Sequence, residues 1–314
     1  MLCNNLYIML NRACSGVCEI CCTESDPKCK ERLNYESVKK FILSTSRDKE
    51  LKKITFTGGE PFVYYEDLKQ YIAYTKEIGK NAVCYTNGFW AASYEEAYTK
   101  LVELKKSGLK ELIVSFDYYH NKHIKAGNIR NIFQAAEKIG IAYYLSMIKT
   151  KKHSIGDIIN RLDEDISDSS VLVNPCLPVG NAKIYLKEED FIRNLIPENL
   201  SCYVKHRILL KYDGTILPCI SPAMLNAGIR IGNYENMDFP EAKQIIEKDC
   251  LLNVIRNQGF DNLIDIAKNE FGIKIPEKII STCELCAILF NRENADKFYD
   301  SIKETDTGLL TNIS

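Results

Sequence analysis

The sequence predicts an α/β protein: a partial, TIM-like (β/α)6 barrel over residues 1–195, then a small α+β domain over 196–305 with a β-hairpin and helices, and a tail at 306–314. Three observations predict it. Short apolar runs rich in β-branched and aromatic residues alternate with longer amphipathic stretches from residue 6 to about 180. Gly79, Gly108 and Gly140 follow three of those stretches, where a left-handed helix cap would sit. After residue 195 the alternation gives way to a hairpin and helices.

Taken in order, Leu6–Leu10 reads as the first strand and Tyr35–Ser46 as its helix. Lys53–Thr57 and Tyr65–Ile78 form the second pair, Ala82–Thr86 and Tyr94–Ser107 the third. Leu112–Phe116 and Ile129–Ile139 follow, then Ala142–Ile148 with Ser154–Leu162, and finally Val171–Val173. In Tyr94–Ser107, Ala97, Leu101 and Leu104 recur at helical spacing. Strands that alternate with helices make parallel βα units. Six are too few to close an eight-stranded barrel, so the barrel is expected to be open. Beyond it, Arg207 to Pro218 reads as a hairpin around the turn pair Asp213-Gly214. Helices are expected at Pro240–Glu247, Cys250–Arg256, Leu263–Asn269 and about Asn294–Lys303.

Composition narrows the function. Of 314 residues 46% are hydrophobic and 26% charged, and 41 Lys and Arg against 42 Asp and Glu leave a net charge of −1. That balance argues against a general nucleic-acid binder. No apolar run is long enough to span a bilayer, and residues 1–7 show no secretory signal, so the cytoplasm is the expected compartment. There, 13 cysteines point to metals or catalysis rather than disulfides.

Directly after the first strand comes Cys14-Ser15-Gly16-Val17-Cys18-Glu19-Ile20-Cys21, a C-x3-C-x2-C loop. Its spacing alone suits zinc or an iron–sulfur centre. Three thiolates on a cubane cluster leave one iron open to a ligand that is not protein. The second strand ends in Thr57-Gly58-Gly59-Glu60-Pro61, where two glycines let backbone approach a ligand and a carboxylate can accept from an ammonium group.

In this order and at these strand ends, the two motifs resemble the radical SAM superfamily, whose fold is a (β/α)6 partial barrel. The resemblance implies that Cys14, Cys18 and Cys21 hold a [4Fe-4S] cluster and that S-adenosylmethionine (SAM) chelates its open iron. Gly58, Gly59 and Glu60 would steady the methionyl ammonium, and Ile20, Asn87, Ser115 and Asp117 would complete the cofactor site. Cleavage of SAM would give a 5′-deoxyadenosyl radical able to take hydrogen from an unactivated C–H bond.

A second set, Cys202, Cys219 and the pair Cys283 and Cys286, resembles the twitch form of the SPASM domain. This implies an auxiliary [4Fe-4S] cluster, although spacing alone leaves zinc open. Cys3, Cys22, Cys29, Cys84, Cys176 and Cys250 remain. Most are expected to be small buried hydrophobes, but Cys22 adjoins the cluster loop and Cys176 follows the sixth strand.

Over nearly the whole chain the sequence resembles the epipeptide-type (YydG-type) radical SAM peptide epimerases. The likeness includes Thr86-Asn87-Gly88-Phe89-Trp90, Ser115-Phe116-Asp117-Tyr118-Tyr119-His120 and Pro218-Cys219-Ile220-Ser221-Pro222-Ala223. The resemblance implies a ribosomal precursor peptide as substrate and a flavodoxin or ferredoxin as reductant. In that family the cysteine that returns hydrogen follows the auxiliary ligand, and an acid precedes the hairpin. Here Ile220 and Arg207 hold those positions. Cys176 and Cys22 are then the candidate donors; without one, cross-linking or oxidation replaces epimerisation. A twitch-type dehydrogenase of a small molecule such as an aminosugar is the alternative. With the first strand near residue 6, peptide recognition is expected at the barrel mouth, in the C-terminal domain or through another protein.

Overall fold

The computed structural model describes residues 4–162, 170–202 and 207–310. Parallel strands buried on both faces need near-continuous apolar runs, and the first strands have them. In β1 (Asn5–Met9) residues 6–9 are all buried, and in β2 (Lys53–Thr57) residues 54–56 are. β3 (Asn81–Thr86), β4 (Leu109–Ser115), β5 (Ala142–Lys149) and β6 (Ser170–Pro175) complete the barrel, each parallel to the strand before it. The connecting helices are α1 (Tyr35–Ser44), α2 (Tyr65–Glu77), α3 (Tyr94–Ser107), α4 (Ala126–Ile139) and α5 (Ile155–Leu162).

Local chemistry sets the helix ends. Asn34 caps α1 by accepting from Ser37 N at 3.1 Å, and Ser93 caps α3 by accepting from Glu96 N. Gly140 closes α4 with φ +68. Leu6, Ile8, Ile54, Phe56, Leu112, Val114 and Leu145 are wholly buried between sheet and helices.

The strand neighbours run in chain order from β6 to β1, and the sheet does not close. It continues instead past β1. The hairpin strand β7 (Leu209–Leu210) pairs parallel with β1, placing Tyr7 opposite Leu209 and Ile8 opposite Leu210. β8 (Thr215–Leu217) and β9 (Gly232–Asn233) follow antiparallel, so one sheet runs through both predicted domains.

The remaining helices are the short α6 (Asn181–Tyr185) after β6, then α7 (Phe239–Lys248), α8 (Cys250–Asn257), α9 (Asp261–Asn269), α10 (Thr282–Leu289) and α11 (Ala295–Leu310). They bury Phe239, Phe260, Phe290 and Phe298 completely.

Three differences from the sequence reading have physical reasons. β4 starts three residues before Leu112 because Lys110 and Glu111, polar at the strand's start, still join the ladder; Glu111 bonds Lys53 on β2. Helix α10 gives no amphipathic signal because Thr282-Cys283-Glu284-Leu285-Cys286 is buried on nearly every side. Helix α11 runs to Leu310, past the start of the expected tail at 306; Cys3 and residues 311–314 lie outside the described residues. Among the described residues no helix is long and apolar enough to cross a membrane.

Candidate functional site

The loop between β1 and α1 is closed on itself. Arg12 donates to the carbonyls of Thr23 and Glu24 and pairs with Glu31 at 2.9 Å, while Cys14 N donates to Asp26 O. A second clamp comes from the far edge of the barrel. Asn181 donates its backbone N–H to Cys21 O and its side-chain amide to Cys18 O, both at 2.9 Å. Held this way, Cys14, Cys18 and Cys21 line one cavity of about 230 Å³ at the C-terminal ends of the strands. Their sulfurs also receive donors: Asn87 Nδ2 to Cys14 at 3.4 Å and Ser25 N to Cys21 at 3.4 Å. Burial raises the Cys14 thiol to about 11 and Cys18 higher still.

The Gly58-Gly59-Glu60 turn forms the adjoining wall. A β-carbon at Gly58 would lie 2.6 Å from Asn11 O, and one at Gly59 would lie 2.2 Å from Ala13 O. The glycines therefore let this turn approach the cysteine loop itself, a different reason from the ligand approach expected of them. Gly59 N donates to Asn11 O and Glu60 N to Ala13 O, each at 2.8 Å.

Glu60 is wholly buried. Its carboxylate accepts from Asn87 N at 2.6 Å, Thr86 Oγ1 at 2.9 Å and Phe62 N at 3.1 Å. Burial outweighs those bonds and raises its pKa to about 7. No Lys or Arg is among the described residues lining the cavity.

Ile20, Asn87 and Ser115 also line the cavity. Asp117 does not. Its carboxylate accepts from Tyr119 N, His120 N and Ile148 N, and so ties the turn after β4 to β5. Sequence reasoning missed His120 as a site residue. This side chain lines the cavity with Nδ1 2.9 Å from Asp117 Oδ1. Burial alone would lower its pKa, but Asp117 and the more distant Glu60 reverse that and raise it. A lone histidine carries no spacing signal that could have marked it.

Cys22 and Cys176 line the same cavity. Cys176 packs in a small buried cluster with Cys18, Ile20 and Tyr119. Burial raises both thiols to about 12. Pro222 reaches the cavity from beyond the hairpin, whereas Ile220 is half-buried and outside the lining. Arg207 is exposed, near enough to Tyr85 of the cavity wall to act on its charge.

Cys202, Cys219, Cys283 and Cys286 meet at a second cavity of about 30 Å³. Cys202 precedes the hairpin, Cys219 follows β8, and the last two sit three apart on α10. Arg256 of α8, also absent from the sequence reading, lines this cavity and lies close enough to Cys202 and Cys219 for charge to be felt. Burial raises the Cys219 thiol to about 12 and Cys286 well above its ordinary value.

The donors in the first cavity fit the groups that the resemblance implies. Among the described residues no three His, Cys, Asp or Glu side chains are placed to hold a single metal ion. The three loop thiols line one cavity together, and thiolates are the ligands that hold an iron–sulfur cluster. A buried carboxylate with no Lys or Arg beside it matches an ammonium group.

Residues 8–163 match the model of the Radical SAM superfamily. The chain is 29% identical, over 93% of its length and 94% of the relative's, to YydG of Bacillus subtilis (strain 168), a protein named for peptide biosynthesis. It is 26% identical to a GTP 3′,8-cyclase of Aliarcobacter butzleri (strain RM4018) over half of each chain. The solved structure of BtrN in complex with AdoMet and 2-DOIA shares its fold, with a TM-score of 0.51, 18% identity and coverage of 86% of this chain and 93% of that one. Cysteine loop, parallel open sheet and matched model agree on one conclusion: the chain belongs to the Radical SAM superfamily, which implies SAM and a [4Fe-4S] cluster as its cofactors.

Proposed function

We propose that this radical SAM enzyme modifies a ribosomally synthesised peptide, with residues 1–195 as catalytic barrel and 196–305 as a twitch-type domain for a second [4Fe-4S] cluster. The observation that carries the reading is one cavity lined by the three loop cysteines and two further thiols, in a chain similar along nearly its whole length to a protein named for peptide biosynthesis. When bound, the cluster and SAM would supply a 5′-deoxyadenosyl radical that takes hydrogen from a substrate C–H bond.

The chain's own residues do the rest. Cys14, Cys18 and Cys21 hold the cluster, and Glu60 provides the buried negative charge for the SAM ammonium. Ile20 offers an apolar wall, while Asn87 and Ser115 place an amide and a hydroxyl where a ribose can bond. Asp117 acts indirectly by fixing the turn that carries His120. Cys202, Cys219, Cys283 and Cys286 hold the second cluster.

The Cys176 thiol keeps its proton at neutral pH, so it has a hydrogen atom to give to a carbon radical; Cys22 is in the same condition. Ile220 has none. Transfer of a hydrogen atom from the Cys176 thiol to the carbon radical would epimerise the residue and leave a thiyl radical that the reductant and a proton restore. Loss of one electron to a one-electron acceptor, with a proton, would leave it dehydrogenated or cross-linked.

The test is anaerobic incubation with reductant, SAM and synthetic copies of any short peptides that the neighbouring genes encode, in heavy water. Epimerisation adds solvent deuterium with connectivity unchanged. Cross-linking or dehydrogenation lowers the hydrogen mass. Absence of 5′-deoxyadenosine rejects the catalytic reading.

A further inference from the structure

Among the described residues β6 ends the sheet, paired with β5 on one side only. Parallel strands are ordinarily covered on both faces, but here Val171, Leu172 and Val173 are 36%, 39% and 46% exposed. Successive side chains point to opposite faces, so both faces of this strand are open. Proteins ordinarily blunt such an edge with Lys or charge because it templates pairing with another strand. Ser170-Val171-Leu172-Val173-Asn174-Pro175 carries no charge at all.

The ladder shows which peptide groups are unpaired. Cys176 N donates to Lys149 O on β5. By the alternation of a parallel ladder, Leu172 and Asn174 also face β5, and Val171, Val173 and Pro175 face outward. Proline at 175 agrees with this, since a missing N–H costs the sheet nothing at an outward position.

We propose that the free edge of β6 is the docking strand for the substrate peptide, which binds extended as an added strand. This rests on the peptide-modifying reading. Continuity with the site argues for a peptide over a second copy of the chain. Pro175, which ends β6, and Cys176 and Leu177 just beyond it line the cavity that holds the three loop cysteines. A strand laid on this edge is led to the reacting centre. Main-chain bonds at Val171 and Val173 would give a grip tolerant of sequence, and the apolar side chains on the two faces would select apolar neighbours. Six residues make a track of roughly 20 Å.

The holoenzyme is titrated with a fluorescein-labelled synthetic copy of a short peptide chosen from those that the neighbouring genes encode, and anisotropy gives Kd. Val173→Pro removes one outward N–H and leaves the β5 ladder whole. It is expected to raise Kd about tenfold, with iron content and thermal melt as in the wild type. A series of singly N-methylated peptides, which leaves the enzyme untouched, is expected to lose affinity at alternate residues only.

Unchanged Kd in Val173→Pro, or an N-methyl series without a period of two, overturns edge docking while modification of the peptide still stands. A wild-type enzyme that leaves the peptide unmodified overturns the reading beneath it, and the proposal with it. A chain that dimerises through β6, made monomeric by Val173→Pro with peptide affinity intact, overturns it as well.

Discussion

Replacing Gly59 by alanine sets the two loops of the cavity against each other. The new β-carbon would lie 2.2 Å from Ala13 O and 2.7 Å from the carbonyl carbons of Ala13 and Arg12. All three are backbone atoms and cannot rotate aside, so the loops must part by more than an ångström to reach an ordinary contact. Parting breaks the bonds from Gly59 N to Asn11 O and from Glu60 N to Ala13 O. Two such bonds contribute about 1 kcal/mol each, and overpacking adds about 1–3 kcal/mol. The expected loss is about 3–5 kcal/mol, a large part of an ordinary domain's stability. Cys14 follows Ala13 directly, so the shift also moves a thiol. Urea unfolding and iron content after anaerobic reconstitution should therefore fall together in Gly59→Ala. Gly79→Ala is the control, because a β-carbon there meets nothing within 4 Å and costs only its backbone strain. Wild-type urea midpoint and full iron in Gly59→Ala would refute the loop-against-loop reasoning.

Glu60, raised to about 7 from 4.5, keeps in the folded state a proton the unfolded chain has already lost. Stability of the ligand-free protein therefore falls as pH rises from 4.5 to about 7, by on the order of 3 kcal/mol, and Glu60→Gln should flatten that window. Equal urea midpoints against pH in both proteins would count against it. Serine at Cys202, Cys219, Cys283 or Cys286 should lower iron by about half while the first cluster persists; unchanged iron rejects a second cluster on these thiols. Cys176→Ala should still form 5′-deoxyadenosine but place no solvent deuterium in the peptide. Full deuterium in that variant would take the donor role from Cys176.

The barrel was legible because its signals are periodic and local. Lys53–Thr57 and Tyr94–Ser107 coincide with β2 and α3, and most other barrel boundaries move by only a few residues. The cysteine loop was legible because ligand spacing is short in sequence. What stayed hidden depends on partners distant in the chain. Two residues, Leu209 and Leu210, join β1 in parallel, and nothing in so short a strand names its neighbour. Arg256 looks like the polar face of an ordinary helix until α8 is packed beside Cys202 and Cys219. Gly58 and Gly59 announce a close approach but not what approaches, and the partner is the backbone of residues 11–13. Asp117, at a strand end, shows in sequence none of the three backbone donors that it gathers from the turn and from β5.

The pairing of β7 with β1 has a chemical consequence. It sets the hairpin beside the strand that feeds the cysteine loop, so the two thiol-lined cavities are built on one sheet. Cys219 and Ser221 line the second cavity and Pro222 lines the first. Three residues of chain span at most about 11 Å, so on the proposed reading an electron lost at the first cavity would have a short path to the second along the hairpin side. Cys176 enters from β6, at the other end of the sheet order. On the proposed reading, electron loss and hydrogen return would be served by separate parts of the frame, and Ile220 leaves the hairpin side without a thiol donor. If the peptide lies along β6, its backbone runs beside the strand that Cys176 directly follows. A hydrogen returned from there must reach the radical from the β6 side, a stereochemical demand that a donor at position 220 would not impose.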